Sequence, residues 1–314
     1  RFCSYCIIPY ARGRVRSRLP EHIIKEIEKI SENGIKEVVL TGINLTAYGT
    51  DFAYRDIEQI DCNKSEEENK EKLKSYRLID LLEDINKIPK IKRIRLGSLE
   101  PTIITDDFVE RLSKLEKVCD HFHLSLQSGC TETLKRMNRK YTAEEIEEAA
   151  ARIRKYFPNA ALTADIIVGF PGETDEEFNQ TYELLKRIKL YKIHVFKYSI
   201  REGTKAAVME NQIDGNIKEE RSNKLLELSN KYEEEFNNAC VGKTLSVLFE
   251  EQDGEYLKGH TTNYRVVKVK AKESKLENEI ANVKIARAEG LELVGELAKS
   301  ETCQWGRRFL TTCQ

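Results

Sequence analysis

The sequence predicts an α/β chain in which a partial parallel barrel, with helices outside it, is followed by a small antiparallel β-barrel. Three features carry this expectation. From Pro20 onward, amphipathic helical stretches alternate with short apolar runs that end in Gly, Asn, Ser or Pro, the rhythm of repeated βα units. Each apolar run holds its polar and glycine residues at its C-terminal end, where the loops of a parallel barrel converge on one mouth. After Val241 the pattern changes to period two, as antiparallel strands require.

Taken in order, helices are expected at Glu21–Asn33, Arg77–Asn86, Asp106–Leu115, Ala143–Tyr156 and Asp175–Ile188. Strands are expected at Glu37–Asn44 (EVVLTGIN), Ile94–Pro101 (IRLGSLEP), His121–Gly129 (HFHLSLQSG), Ala164–Pro171 (ADIIVGFP) and Ile193–Ser199 (IHVFKYS). A further strand ahead of Arg1 would complete this barrel. The charged run between Phe52 and Tyr76, CNKSEEENKEKLK, reads as an insertion on the rim. Glu219–Asn238 reads as a long charged helix, apolar at Leu225, Leu226, Leu228, Tyr232 and Phe236. The second barrel is expected from Leu245–Glu250, Glu255–His260, Arg265–Lys270, Glu279–Ile285 and Leu291–Leu297. The resulting division is 1–216 for the first barrel, 217–240 for the linking helix, 241–300 for the second barrel and 301–314 for a tail. Gly242-Lys243-Thr244 lacks the earlier glycine of a phosphate loop and is set aside.

No apolar run approaches the roughly 20 residues of a membrane span, so no membrane partner is expected and the cytoplasm is the expected compartment. The eight cysteines are scattered through a long chain without the dense framework of a small disulfide-bonded domain, which fits a reducing environment. Only Cys3 and Cys6 have the spacing of ligands, and Cys62, Cys119, Cys130 and Cys240 read as ordinary thiols. A net charge of −1 hides three basic groups: Arg1, Arg12, Arg14, Arg16 and Arg18; Lys135, Arg136, Arg139 and Lys140; Lys258, Arg265, Lys268, Lys270 and Lys272. Each read alone is a solvated face, and their recurrence beside motif residues favours a nucleic-acid partner.

The CxxC of FCSYCIIP admits a redox dithiol, half of a zinc site, or two of the three thiolates of an iron-sulfur cluster. The redox reading suffers because Ile7-Ile8-Pro9 follows where a helix start would be needed. A third cysteine two residues before Arg1 would make the spacing CxxxCxxC.

Seven motifs taken together, FCSYCIIPYARGRVRSR, VVLTGIN, IRLGSLEP, HFHLSLQSG, LKRMNRKYT, DIIVGFPGETDEEF and HVFKYSIREGT, resemble the radical S-adenosylmethionine methylthiotransferases. IRLGSLEP and LKRMNRKYT are most similar to the enzymes that modify threonylcarbamoyladenosine in tRNA, the MtaB type. The resemblance runs from Arg1 to about Leu297. It implies a partial TIM-like radical SAM barrel followed by an OB-like TRAM module that binds RNA, and a methylthio group added to C2 of N6-threonylcarbamoyladenosine next to the anticodon. It implies that Cys3 and Cys6, with one more cysteine, hold a [4Fe-4S] cluster whose free iron takes S-adenosylmethionine.

By the same resemblance Tyr5 lies beside the cofactor, and Gly42 and Asn44 line its methionine end. Ser98, Glu100, Gln127 and Ser128 face its ribose or methionine part, and Asp165, Ile167 and Val168 pack its adenine. A strand-end turn at Gly42 or Gly169, core packing at Ile167 and Val168, and a loop cap at Asn44 are equally ordinary uses of those residues. Glu100 and Gln127 are harder to set aside, since polar residues ending apolar strands need partners. His121 and His123 read as hydrogen-bonded structural histidines. The C2–H bond resists deprotonation by any side chain near neutral pH, so the implied chemistry is radical, begun by an electron that cleaves S-adenosylmethionine.

Lys258, His260, Tyr264, Arg265, Lys268 and Lys270 are the expected RNA contacts of the second barrel, cations for phosphate and an aromatic ring for a base. The implied partners are tRNA and a reductant such as a flavodoxin or ferredoxin. A second [4Fe-4S] cluster belongs, in the family, to an N-terminal domain that this sequence lacks, so the polypeptide as given is expected to be inactive alone. The competing readings are a sibling enzyme for isopentenyladenosine in tRNA or for a ribosomal-protein aspartate, and a noncatalytic RNA-binding protein.

Overall fold

A computed structural model describes residues 2–54, 66–271 and 276–298, without the side chains of 66–70. The tail at 301–314, Cys62, Lys272 and the part of the rim insertion at 55–65 lie outside the described residues. The chain divides into two compact units, residues 1–236 with 262–264, and 237–261 with 265 onward.

In the first unit the elements run α1 (Ile8–Arg12), α2 (Pro20–Glu32), β1 (Glu37–Leu40), α3 (Glu66–Ser75), α4 (Leu78–Asn86), β2 (Arg93–Leu96), α5 (Asp106–Ser113), β3 (His121–Gln127), α6 (Thr131–Arg136), α7 (Ala143–Tyr156), β4 (Ala161–Val168), α8 (Asp175–Ile188), β5 (Lys192–Lys197) and α9 (Gly215–Asn238). All five strands are parallel. β1 pairs with β2, and β3, β4 and β5 pair in that order, with His123 opposite Thr163 and Asp165 opposite His194. Two isolated parallel bridges, Ile94 to Val118 and Leu99 to Leu124, join β2 to β3.

Capping side chains mark the starts of α5, α7 and α8, whereas α1 has none and begins at Ile8, directly after the CxxC, where the sequence offers no evident helix start. Thr142 with Glu145 and Thr174 with Glu177 form reciprocal capping boxes at α7 and α8, and the Thr105 side chain accepts the Phe108 amide at α5. The strands are shorter at their C-terminal ends than their apolar runs predict. Thr41–Asn44, Gly97–Pro101 and Gly169–Pro171 leave the ladder, and Gln127 at φ +70° and Gly169 at φ +69° turn the chain out of it. The motif residues therefore sit on loops at one end of the sheet.

Alternation sorts the strands into two faces. Phe122, Leu124, Leu126, Leu162, Ala164, Ile166, Val168 and Ile193 join the main core with Leu112, Ile146, Ile153, Leu184 and Leu185 of the surrounding helices. Each large apolar side chain buried there contributes about 1.5–3 kcal/mol. The opposite face carries His121, His123 and Ser125 of β3, Thr163, Asp165 and Ile167 of β4, and Lys192, His194 and Phe196 of β5. It is mostly polar.

The second unit adds β6 (Thr244–Asp253), β7 (Tyr256–Thr261), β8 (Val266–Lys270), β9 (Ile280–Glu289) and β10 (Glu292–Leu297). They close a barrel in the order β10-β8-β7-β6-β9. The pairs are antiparallel, as expected, except that β8 and β10 are parallel, with Val267 opposite Leu293. This follows from the path, because β9 crosses to pair with β6 and its hairpin sends β10 back beside β8. The order is that of an oligonucleotide-binding barrel. Val247, Phe249, Leu257, Val267, Val283, Ile285 and Leu293 fill it. Gly259 allows the closest approach, since a Cβ there would lie 2.1 Å from the Leu248 carbonyl oxygen.

Candidate functional site

Cys3 and Cys6 bracket one turn, in which the Cys6 amide donates to the Cys3 carbonyl at 3.1 Å, and both thiols are free and partly exposed. The turn is held from beneath. Ser4 is buried, donating its amide to the Met137 carbonyl at 3.0 Å and its hydroxyl to the Arg136 carbonyl at 2.8 Å. Its own carbonyl accepts the Ala206 amide at 2.8 Å. Asn138, at φ +60°, donates its side-chain amide to the Phe2 carbonyl at 2.6 Å. A small apolar cluster of Met137, Phe170, Tyr198 and Ala206 lies below, and the Tyr5 ring meets Phe170 edge-on at 6.1 Å. Ser4 thus anchors the turn from beneath, and its two cysteines stay partly exposed.

Tyr5 leads to a buried charge. The Arg139 guanidinium, 9% exposed, donates through Nη2 to the Tyr5 hydroxyl at 2.9 Å and through Nη1 to Glu100 Oε1 at 3.1 Å. Its cation also lies 5.8 Å from the centre of the Tyr141 ring, whose hydroxyl donates to the Ser125 carbonyl at 2.6 Å. Burial alone would favour a neutral Arg139, but its surroundings, the Glu100 carboxylate among them, outweigh burial and hold the guanidinium charged. Burial pushes the Tyr5 phenol well above its ordinary range against the opposing pull of Arg139, so Tyr5 remains a neutral hydroxyl. One side chain ties the cysteine turn, the IRLGSLEP loop and the LKRMNRKYT segment together. From the sequence, Tyr5 and Glu100 are expected at the cofactor, whereas Arg139 reads only as one of a basic group; its partners lie far along the chain.

The remaining expected cofactor residues fall into two groups. Gly42 and Ser98 are exposed on loops, and a Cβ at Gly42 would meet nothing nearer than Leu45 at 3.8 Å. Asn44 caps the short turn at Leu45–Ala47, its Oδ1 accepting the Ala47 amide at 3.2 Å. Gln127 is buried in its left-handed conformation. Asp165 and Ile167 lie on the polar face of the sheet. Ser128 and Val168 do not turn toward it. The Ser128 hydroxyl lies 3.2 Å from that of Thr181 on α8 and accepts the Cys130 amide at 3.2 Å, and Val168 is in the core. Successive strand residues point to opposite faces, so Ile167 and Val168 cannot share one environment.

On the polar face, His123 is hydrogen-bonded through Nδ1 to the Thr163 hydroxyl at 2.8 Å, while its Nε2 lies 3.3 Å from Asp165 Oδ2. The His194 ring is 5.5 Å away. Among the described residues no group of three His, Cys, Asp or Glu is placed to hold a metal. His121 is pushed down to about 3, first by burial and then by the charges of Arg95, His123 and His194. It is neutral in the fold but takes a proton on unfolding below about pH 6.5. The stability it supports is complete above that pH and is lost as pH falls toward 3. Replacing His121 by Gln is expected to flatten stability against pH between about 6.5 and 5 by up to ~1.4 kcal/mol per pH unit, read from urea midpoints. Parallel curves for the two proteins would show that His121 does not titrate in this way.

The expected RNA contacts of the second unit are already engaged. Lys258 pairs with Asp253 at 2.7 Å and Glu292 at 3.2 Å, Lys268 with Glu289 at 2.9 Å and Glu292 at 3.1 Å, and Lys270 with Glu255 at 3.0 Å. His260 Nδ1 lies 2.8 Å from Glu250, and Arg265 is buried, donating to the Leu291 carbonyl at 2.7 Å. Burial pulls Arg265 down to about 10. Tyr264 groups with the first unit, its ring 5.1 Å from His121 and 4.5 Å from the Arg95 guanidinium. Phosphate at the paired lysines would have to displace a carboxylate.

The parallel sheet agrees with the family model. The family model described as the Radical SAM superfamily matches residues 1–185. The chain belongs to the radical SAM superfamily. It is 39% identical over 293 residues to the threonylcarbamoyladenosine tRNA methylthiotransferase MtaB of Bacillus subtilis strain 168, covering 91% of this chain and 60% of that protein. It is 37% identical over 301 residues to a tRNA-2-methylthio-N(6)-dimethylallyladenosine synthase of Acetivibrio thermocellus, covering 95% of this chain and 58% of that protein. It thus spans about three fifths of the length of these relatives. Among solved structures, methylornithine synthase (PylB) is similar with a TM-score of 0.47 at 15% identity, over 74% of this chain and 59% of that one. Among the described residues no helix is long and apolar enough to cross a membrane.

Proposed function

We propose that this chain carries the radical half of a tRNA methylthiotransferase acting on C2 of N6-threonylcarbamoyladenosine next to the anticodon. The observation that carries the reading is the Cys3–Cys6 turn, fixed by Ser4 and joined through Tyr5 to the buried Arg139–Glu100 pair. A four-iron cluster with one open iron needs three thiolates. Cys3 and Cys6 suit two of these positions, being free, partly exposed thiols on a turn anchored by Ser4. When bound, such a cluster supplies the electron that breaks S-adenosylmethionine and so the radical that takes a hydrogen from carbon.

The chain's own residues bind and orient. Glu100 and Arg139 present an anion and a cation beside Tyr5, complementary to the amino and carboxylate groups of an amino acid. Gly42, Asn44 and Ser98 on the loops, with Gln127, Asp165 and Ile167, are the remaining contacts proposed for the cofactor. A second cluster in an N-terminal domain, tRNA as substrate and a flavodoxin or ferredoxin as reductant complete the reading.

The choice of threonylcarbamoyladenosine rests on the polar face of the sheet, where His123, Thr163 and His194 meet. A threonylcarbamoyl substituent, with a carboxylate and a hydroxyl, suits such a lining, whereas a dimethylallyl group would desolvate it without return. The Acetivibrio relative favours dimethylallyladenosine as a second reading. Mass spectrometry of tRNA nucleosides from cells lacking the full-length gene separates the two. The expected result is loss of the methylthio form of threonylcarbamoyladenosine, with the dimethylallyl series unchanged; the reverse pattern would overturn the assignment.

A further inference from the structure

Three basic groups stand out in the sequence, and the structure treats them differently. In the second group, Lys135 pairs with Glu132, Arg136 with Glu177 and Arg139 with Glu100, and Lys140 donates to the Asn138 side chain. In the third, the described lysines are paired and Arg265 is buried. The first group is the exception. Arg18 pairs with Glu26 at 2.5 Å, but Arg12, Arg14 and Arg16 are exposed and make no ion pair or hydrogen bond among the described residues.

Arg12 closes α1, and Arg14 and Arg16 follow it on a loop fixed at both ends. At one end α1 follows the cysteine turn and stops at Gly13, φ +71°, whose amide donates to the Pro9 carbonyl at 2.9 Å. At the other, Ser17 is buried; its amide donates to Asp51 Oδ2 at 2.9 Å, and its hydroxyl accepts the Gly49 amide at 2.9 Å. The Tyr48 hydroxyl donates to the Arg18 carbonyl at 3.0 Å. Anchoring of this kind displays the cations on ordered backbone, which lowers the entropy lost on binding. Tyr10, 72% exposed, adds an aromatic ring on the same short segment.

From this we infer that Tyr10, Arg12, Arg14 and Arg16 form a docking strip for the sugar-phosphate backbone of single-stranded RNA beside the cysteine turn. The inference rests on the proposed tRNA reading and locates where that substrate is gripped. The basic residues from Tyr10 to Arg18 are all arginine, whose planar fork engages phosphate oxygens in pairs as a lysine ammonium cannot. Together with an exposed ring able to stack on a base, this favours RNA over an acidic protein surface. The strip begins four residues after Cys6, so a strand held there passes close to the reacting centre.

The test uses full-length, cluster-loaded protein and a fluorescent anticodon stem-loop, with affinity measured over a series of salt concentrations. The triple variant Arg12→Gln/Arg14→Gln/Arg16→Gln is expected to bind roughly tenfold or more weakly, with the slope of log affinity against log salt reduced by about 2–3. Iron content is expected to match the parent, showing that the fold and cluster survive. The variant Arg12→Lys/Arg14→Lys/Arg16→Lys is expected to keep the slope and lose part of the affinity, and Lys258→Gln/Lys268→Gln to change binding less than about twofold. Unchanged affinity and slope in the first variant would overturn the strip. So would unchanged RNA binding with a weakened hold on the reductant, which would mark a protein-docking surface. Methylthiolation with an unaltered KM for tRNA in the first variant sinks the strip and leaves the proposed function standing. Arginine-dependent RNA binding by a protein that modifies no tRNA does the opposite.

Discussion

Arg221→Leu is expected to lower the unfolding free energy by about 3–5 kcal/mol, because it strands a buried carboxylate. The Glu173 side chain is 2% exposed, and Arg221 on α9 reaches it through Nη1 at 2.7 Å while Nη2 holds Asp175 at 2.7 Å. Glu173 also accepts the amide of Gly169 at 2.7 Å, fixing the turn that ends β4. Burial already pushes Glu173 upward, with the Gly169 amide and the Arg221 charge opposing it. Without the guanidinium the carboxylate takes up a proton and the turn loses a charged anchor. Glu173→Gln added to Arg221→Leu is expected to recover much of the loss, since an amide oxygen still accepts from Gly169 and no charge is left unpaired. Urea denaturation of the three proteins checks this; a single variant within about 1 kcal/mol of the parent would show that the pair is dispensable.

Arg139→Leu is expected to act on both stability and cofactor binding. It leaves the Glu100 carboxylate, 15% exposed, and the partly buried Tyr5 hydroxyl without their shared donor. The expected loss is about 3 kcal/mol or more in stability, and S-adenosylmethionine binding to the cluster-loaded full-length protein is expected to weaken by roughly a hundredfold, the size of one lost charge-assisted contact. Arg139→Lys keeps the charge but cannot reach both partners in the same geometry, and should fall between. Tyr5→Phe removes one hydrogen bond and is expected to cost about 1 kcal/mol. Titration calorimetry with S-adenosylmethionine separates these variants; equal affinity in Arg139→Leu and parent would remove Arg139 from the site.

The helices were the most legible part of this chain. Ala143–Tyr156 and Asp175–Ile188 begin and end as the pattern predicts, because Thr142 and Thr174 each stand three residues before a glutamate and announce the start locally. The strand ends were less so. Apolar content continues past the point where Gln127 and Gly169 turn the backbone, and a φ angle is not written in hydropathy. In the site, the cysteine spacing is a local signal, whereas Arg139 acquires its importance from partners 39 and 134 residues away. The lysines of the second unit look free in a linear reading because Asp253, Glu289 and Glu292 meet them only through the strand register. Conversely, Arg12, Arg14 and Arg16 can be told from their paired counterparts only once the acids among the described residues have been placed.

The position of β10 between β8 and β9 governs how the second unit can be born. Until residues 292–297 leave the ribosome, β8 and β9 each keep an edge of unmet amides and carbonyls, and no rearrangement of the four earlier strands can close the gap. The nascent module is therefore exposed to edge-to-edge association until its last strand arrives. A chain stopped just before Glu292 should collect in aggregates or with chaperones, while one that includes Leu297 can seal itself in a single step.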